Sequence, residues 1–225
     1  MIITATDNGY FGNVTDFNGC WNGCSSLLSF PFIDTSSGTI FNGCWSGCSS
    51  LLSFPLLDVS SGTDFTATWV SCNSLTSFPL LNTSSGTIFT QTWAFCSLLT
   101  SFPLLDVSNG TIFTQTWLQC SSLTTFPLLD TSSGTNFTSC WNGAGVNIFP
   151  ANFFDSNIAT NYNVAFLSTN LSQTSIDNIL VSLDVNGLSS GTFRQGGGSA
   201  PSITGTNAID SLRAKSWTII VTGGY

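Results

Sequence analysis

The 225-residue chain has no histidine and no glutamate, and its three cations, Arg194, Arg213 and Lys215, all lie beyond residue 193. Without histidine, neither a Ser-His-Asp nor a Cys-His catalytic arrangement can be assembled. Without glutamate, paired-carboxylate glycoside chemistry would need two Asp residues, and the only regularly placed Asp pairs are copies in a repeat. Without cations over residues 1–193, that long part has nothing to release counterions from phosphates, so nucleic acid and anionic membranes are not expected partners. No stretch approaches the ~18 consecutive apolar residues of a membrane span. The start, Met-Ile-Ile-Thr-Ala-Thr-Asp, shows neither the basic nor the apolar region of a secretory signal. The stretch Gly196-Gly197-Gly198-Ser199 lacks the Lys of a phosphate loop. The expectation is a non-enzymatic protein with no cofactor and no membrane insertion.

Charged residues make up 6% of the chain, against roughly 25% in ordinary soluble domains. Their place is taken by Ser, Thr, Asn and Gly. A hydrophobic fraction of 42% still suffices for a continuous core, and the net charge of −8 comes from Asp alone. A polar but weakly charged surface of this kind suits an extracellular or virion location, and is compatible with homo-oligomers.

A fixed 24-residue period organises the chain. Pro31, Pro55, Pro79, Pro103 and Pro127 follow it, as do Trp21, Trp45, Trp69, Trp93, Trp117 and Trp141. Phenylalanines from Phe17 to Phe137 and glycines from Gly38 to Gly134 keep the same step. Within one repeat, Phe65, Trp69 and Cys72 stand at i, i+4 and i+7, which predicts one face of a short helix capped by Ser61 or Thr63. Leu75, Phe78 and Leu80 predict the inward positions of a short strand. Asn82-Thr83-Ser84-Ser85-Gly86 reads as a turn in which the Asn side chain bonds the backbone two residues on and Gly accepts positive φ.

A lone repeat would bury about six apolar side chains, worth roughly 10–15 kcal/mol. Ordering 24 residues costs on the order of 1–2 kcal/mol each, so cohesion must come from stacking repeat on repeat. The expected architecture is an α/β repeat solenoid, right-handed and of leucine-rich-repeat type, with 24-residue coils of short parallel strand plus short helix. Its divisions are an N-terminal cap at 1–16, repeats at 17–149 and a small α/β C-terminal cap at 150–225. In that cap, Ile176, Ile179, Leu180 and Leu183 predict an amphipathic helix over 175–183 capped by Ser172 or Thr174. A Gly-rich loop, a second helix near 207–215 and a strand at 217–221 follow.

The spacing Phe-x-x-x-Trp followed by Cys-x-x-Leu-x-x-Phe-Pro resembles the BspA-like leucine-rich repeats of microbial surface proteins over about residues 17–149. Trp stands where those repeats usually carry Phe, and Phe-Pro is a variant. The C-terminal segments Ser-Ile-Asp-Asn-Ile-Leu-Val-Ser-Leu-Asp and Ser-Leu-Arg-Ala-Lys-Ser-Trp-Thr-Ile resemble the cap after such repeats in structural proteins of marine bacteriophages. The two likenesses imply a virion structural or receptor-binding protein, on a tail fibre or capsid exterior, or else a cell-surface adhesin. Other virion proteins, or a host cell-surface protein or glycan, are the partners implied. The candidate ligand-binding residues are Thr76, Ser77, Pro79, Thr100, Ser101 and Pro103, which offer hydroxyls and flat apolar contacts on the predicted strand face.

Two columns have metal-ligand chemistry. Cys20, Cys24, Cys44 and Cys48 have a spacing that could hold a tetrahedral zinc, although the Cys24-type column continues where its partners are Thr, which favours a small core residue. Asp34, Asp58, Asn82, Asp106 and Asp130 could chelate calcium or form a repeated turn, and Asn82 in the same slot favours the turn.

Overall fold

A computed structural model describes residues 11–225. The expected N-terminal cap therefore lies largely outside the described residues. Of it, Phe11 sets its ring edge-on to Phe17 and Trp21, with centroids 6.3 Å away in both cases.

Each repeat lies face to face on the next. Consecutive tryptophans from Trp21 to Trp141 are stacked with ring centroids 5.4–5.8 Å apart and planes within 11°. The Phe17-to-Phe137 column stacks at 5.1–5.6 Å beside it. These separations belong to offset-stacked rings. Phe54, Phe78 and their copies meet the tryptophans edge-on, as at Trp69–Phe78, 4.8 Å and 74°.

The helix expected at Phe65-Trp69-Cys72 does not form, and neither does a cap from Ser61 or Thr63. In its place runs a chain of overlapping turns. The N–H groups of Thr68, Val70 and Cys72 donate three residues back, to the carbonyls of Phe65, Ala67 and Trp69. The alternate N–H groups, of Phe65, Ala67, Trp69 and Ser71, donate across to Ile88, Thr90, Thr92 and Ala94 of the next coil at 2.8–2.9 Å. Three donors thus close turns, four join coils and the Thr66 N–H donates to Oδ1 of Asp64, which leaves none of the stretch orphaned. An α-helix would keep all of them inside one coil. The ribbon needs a left-handed residue every fourth position: Gly19 and Gly23, Gly43 and Gly47, then Ala67 and Ser71, Gln91 and Phe95, Gln115 and Gln119, all with φ between 51° and 74°. At a non-glycine residue that conformation costs about 1–2 kcal/mol.

The expected strand is likewise reduced to isolated parallel bridges, such as Ser29 with Ser53, and most bridges fall elsewhere, as Asp64 with Ile88. The inward positions are Leu75, Phe78 and Leu81, while Leu80 faces outward at 63% exposure. The cause is local: the carbonyl of Pro79 accepts from the N–H of Leu81 at 3.0 Å, a three-residue turn that brings the second leucine inward.

Side chains add further ties between coils. Thr68, Thr92 and Thr116 donate their hydroxyls to the carbonyls of Phe41, Phe65 and Phe89 at 2.8–2.9 Å. Cys48, Cys72, Cys96 and Cys120 aim their thiols at the carbonyls of Trp21, Trp45, Trp69 and Trp93 at 3.1–3.3 Å. The Cys column is a row of small buried donors.

Among the described residues, regular strands and helices occur only in the last third: β1 (Asn161–Leu167), α1 (Gln173–Asn186), β2 (Thr192–Gly196), α2 (Ile203–Ala214) and β3 (Thr218–Ile220), with a parallel sheet in the order β1-β2-β3. The free edge of β1 continues the stack, since Trp141 and Gly143 donate to Ala165 and Leu167. Tyr162 and Phe166 of β1 carry the two ring columns into the sheet, stacking on Phe137 at 5.4 Å and on Trp141 at 4.8 Å. Ser172 caps α1 by accepting from the N–H of Ser175, and Gly187 ends it at φ 79°. Ser175 and Ser182 of α1 accept from the N–H groups of Phe149 and Phe154, serving backbone that the degraded last repeat leaves free. Among the described residues no helix is long and apolar enough to cross a membrane.

Candidate functional site

The six residues expected to bind a ligand lie on one face. Thr76, Ser77, Thr100 and Ser101 are exposed, and Pro79 and Pro103 are half-buried. The hydroxyl of Thr100 donates to the carbonyl of Thr76 at 3.2 Å, which ties the two coils on this face.

Sequence reasoning missed the larger feature beside them. Phe32, Leu56, Leu80, Leu104 and Leu128 form an outward column, 53–75% exposed, in strict 24-residue register. Each follows a proline and precedes a buried Ile or Leu. The signal in the sequence was the three-residue step of the buried positions, Leu75, Phe78 and Leu81, which leaves the first leucine of Pro-Leu-Leu outside. A ladder of five large apolar side chains, one per coil, with the exposed Leu28 and Leu52 beside it, is the kind of patch that marks an interaction site.

Two residues further on in each coil stand Asp34, Asp58, Asn82, Asp106 and Asp130. Their Oδ1 atoms accept the backbone N–H of the serine two residues on, at 3.0–3.1 Å. At the first four positions the same oxygen also accepts that serine's hydroxyl. The Ser36 hydroxyl, then its N–H, hold the carboxyl of Asp34 below the usual carboxylate range. The column thus forms a repeated turn with a negative edge along the apolar ladder. At its far end Leu128, Asp130, Asn152, Phe153 and Asn157 line a recess of 310 Å³ at the seam with the last irregular coil.

The four cysteines with zinc spacing are divided: Cys20 and Cys24 are exposed in the first coil, Cys44 and Cys48 buried in the second, and all are free thiols. Burial pushes the Cys48 thiol up to about 11 and Cys120 up to about 12. Such thiols stay protonated and inert at neutral pH. Among the described residues no three His, Cys, Asp or Glu side chains converge as a metal-holding group.

Chemically the face offers apolar contact, hydroxyls and carboxylate edge, with no nucleophile paired to a base. No protein-family profile matches the chain, and neither a curated protein nor a solved structure is significantly similar to it.

Proposed function

We propose that residues 17–149 form a leucine-rich-repeat-type solenoid serving as a non-enzymatic interaction module, in a bacteriophage virion structural or receptor-binding protein on a tail fibre or capsid exterior. The observation that carries the module reading is the outward ladder Phe32, Leu56, Leu80, Leu104 and Leu128, with the Thr76, Ser77 and Pro79 columns beside it. Exposed apolar surface of that regularity opposes solubility, so a binding partner gives it a reason. The virion or extracellular placement is supported by the 6% charged residues and by the likeness of the last segment to phage repeat caps. Partners are other virion proteins, or a host cell-surface protein or glycan.

Mass spectrometry of purified particles from the phage that encodes the chain is the test, and particles without it end the virion reading. The likeness of the Cys-x-x-Leu-x-x-Phe-Pro unit to BspA-like repeats favours a second reading, a microbial cell-surface adhesin. Capsid and tail genes beside its own support the first, and secretion genes the second.

A further inference from the structure

Phe95 occupies the left-handed slot that Gly23, Gly47 and Gly143 fill in other coils, with φ 62° and 40% of its surface exposed. A bulky residue there bears backbone strain, and its ring stays partly exposed outside the buried core. Around it the coils build a small grid. Ser71, Phe95 and Gln119 form one column over three coils, and Asn73, Ser97 and Ser121 form the column two residues on. Together they line a recess of 250 Å³ that no charged side chain enters. With its amide nitrogen assigned as donor to the carbonyls of Phe95 and Ser71, Asn73 keeps its oxygen as a free acceptor.

We propose that this recess binds a single neutral sugar ring, the apolar C–H face of the sugar lying on Phe95 and its hydroxyls meeting Asn73, Gln119 and the serines. The wall chemistry selects the class. An aromatic face beside amides and hydroxyls suits a pyranose, while the absence of cations and anions gives nothing to hold a charged ligand. The volume lies below the ~300–1,000 Å³ of drug-sized sites, so one ring fits and a longer oligosaccharide would run out along the surface. The site shares no residue with the outward ladder, so its failure and that of the proposed function are separate results.

The test uses the full chain and saturation-transfer NMR with the methyl glycosides of glucose, galactose, mannose, N-acetylglucosamine and N-acetylgalactosamine, and with sialic acid as a charged control. At least one neutral glycoside is expected to bind with Kd of about 1 mM, and sialic acid not at all. Phe95→Gly is expected to weaken binding about tenfold while raising the melting midpoint by about 2 °C, because it removes strain and ring together. Phe95→Tyr, which keeps the ring face, is expected to retain binding. A purely structural Phe95 would lower the midpoint when removed. The proposal is overturned by silence from all five neutral glycosides, by Phe95→Gly binding as well as wild type, or by a fall in its melting midpoint.

Discussion

Substituting Gly86 by Ala is expected to destabilise the protein by about 2 kcal/mol, whereas Gly-to-Ala changes at unstrained positions stabilise by about 0.4–1 kcal/mol. Gly86 does not adopt positive φ, in contrast to the turn role its sequence context suggests. A Cβ built there meets Cζ of Phe89 at 2.5 Å, the carbonyl oxygen of Thr83 at 3.0 Å and Cε2 of Phe65 at 3.1 Å. Both rings are fully buried in the stacked column and have no free volume to retreat into. At about 2–4 °C per kcal/mol for a chain of this size, the midpoint should fall by about 4–8 °C. Ala67 provides the opposite case, since its φ is 51°. Ala67→Gly relieves about 1–2 kcal/mol of left-handed strain and adds about 0.5–1 kcal/mol of unfolded-state entropy, a net gain of about 0.5–1 kcal/mol. Thermal melts followed by near-UV circular dichroism read both. Phe89→Leu in the Gly86→Ala background should recover about 1 kcal/mol relative to additivity, because the shorter side chain clears the clash. A neutral or stabilising Gly86→Ala would refute the claim that ring packing, and not backbone conformation, requires this glycine column.

Other consequences are measurable in the same protein. Native thiol labelling at pH 8 should modify only Cys20 and Cys24, the other six cysteines reacting after unfolding; fast labelling of Cys72 or Cys96 would show that the coils do not enclose them. Stability should be constant at neutral pH and fall above about pH 9, because buried thiols such as Cys48 keep their protons to about pH 11 while the unfolded chain gives them up at its ordinary 9.0. The check is a urea midpoint measured at pH 7 and at pH 10. Addition of a calcium chelator should leave the melting midpoint unchanged, since serine N–H groups already engage the Oδ1 atoms of Asp58 and Asp106. Lys215→Met should cost about 1 kcal/mol in chemical denaturation, by removing the half-buried pair with Asp184 at 2.6 Å that joins the end of α1 to the end of α2.

The period, and the residues that share a column, were legible because stacking demands identical side chains at identical places. The local backbone was not. A helix and the observed turn chain both place Phe65, Trp69 and Cys72 on one side, because a left-handed residue every fourth position resets the direction of the chain much as a helical turn does. Gly19, Gly23, Gly43 and Gly47, spaced four apart inside the supposed helices, were the contrary signal, since two glycines per short helix would oppose it. Leu80 was misplaced for a similar reason: a period-two strand and a three-residue turn diverge only at the last leucine. Of the candidate site, the Ser77 column was readable as polar, whereas the Thr76 column holds Leu28 and Leu52 in the first two coils and Thr only from residue 76 on. The outward ladder and the Phe95 recess were not, since each depends on which of two neighbouring residues the backbone turns to solvent. The α1 helix, whose apolar spacing had no competing glycines, lies where its pattern put it.

The tryptophan column shows how strongly the stack constrains the sequence. The indole N–H groups of Trp45, Trp69, Trp93, Trp117 and Trp141 are buried with no acceptor among the described residues. Each such group costs about 1–3 kcal/mol. Trp69 nonetheless has five ring neighbours: Trp45 and Trp93 above and below it, Phe65 alongside, and Phe54 and Phe78 edge-on. Aromatic pairs contribute about 0.5–1.5 kcal/mol each beyond burial, so the five together, about 2.5–7.5 kcal/mol, outweigh the orphaned donor. An acceptor inserted between the rings would satisfy one N–H and break two or three of those pairs. The unsatisfied indole is therefore the lower-energy choice in every interior coil, and the same balance holds Trp141 against Phe166 of β1, where the ring column passes into the sheet.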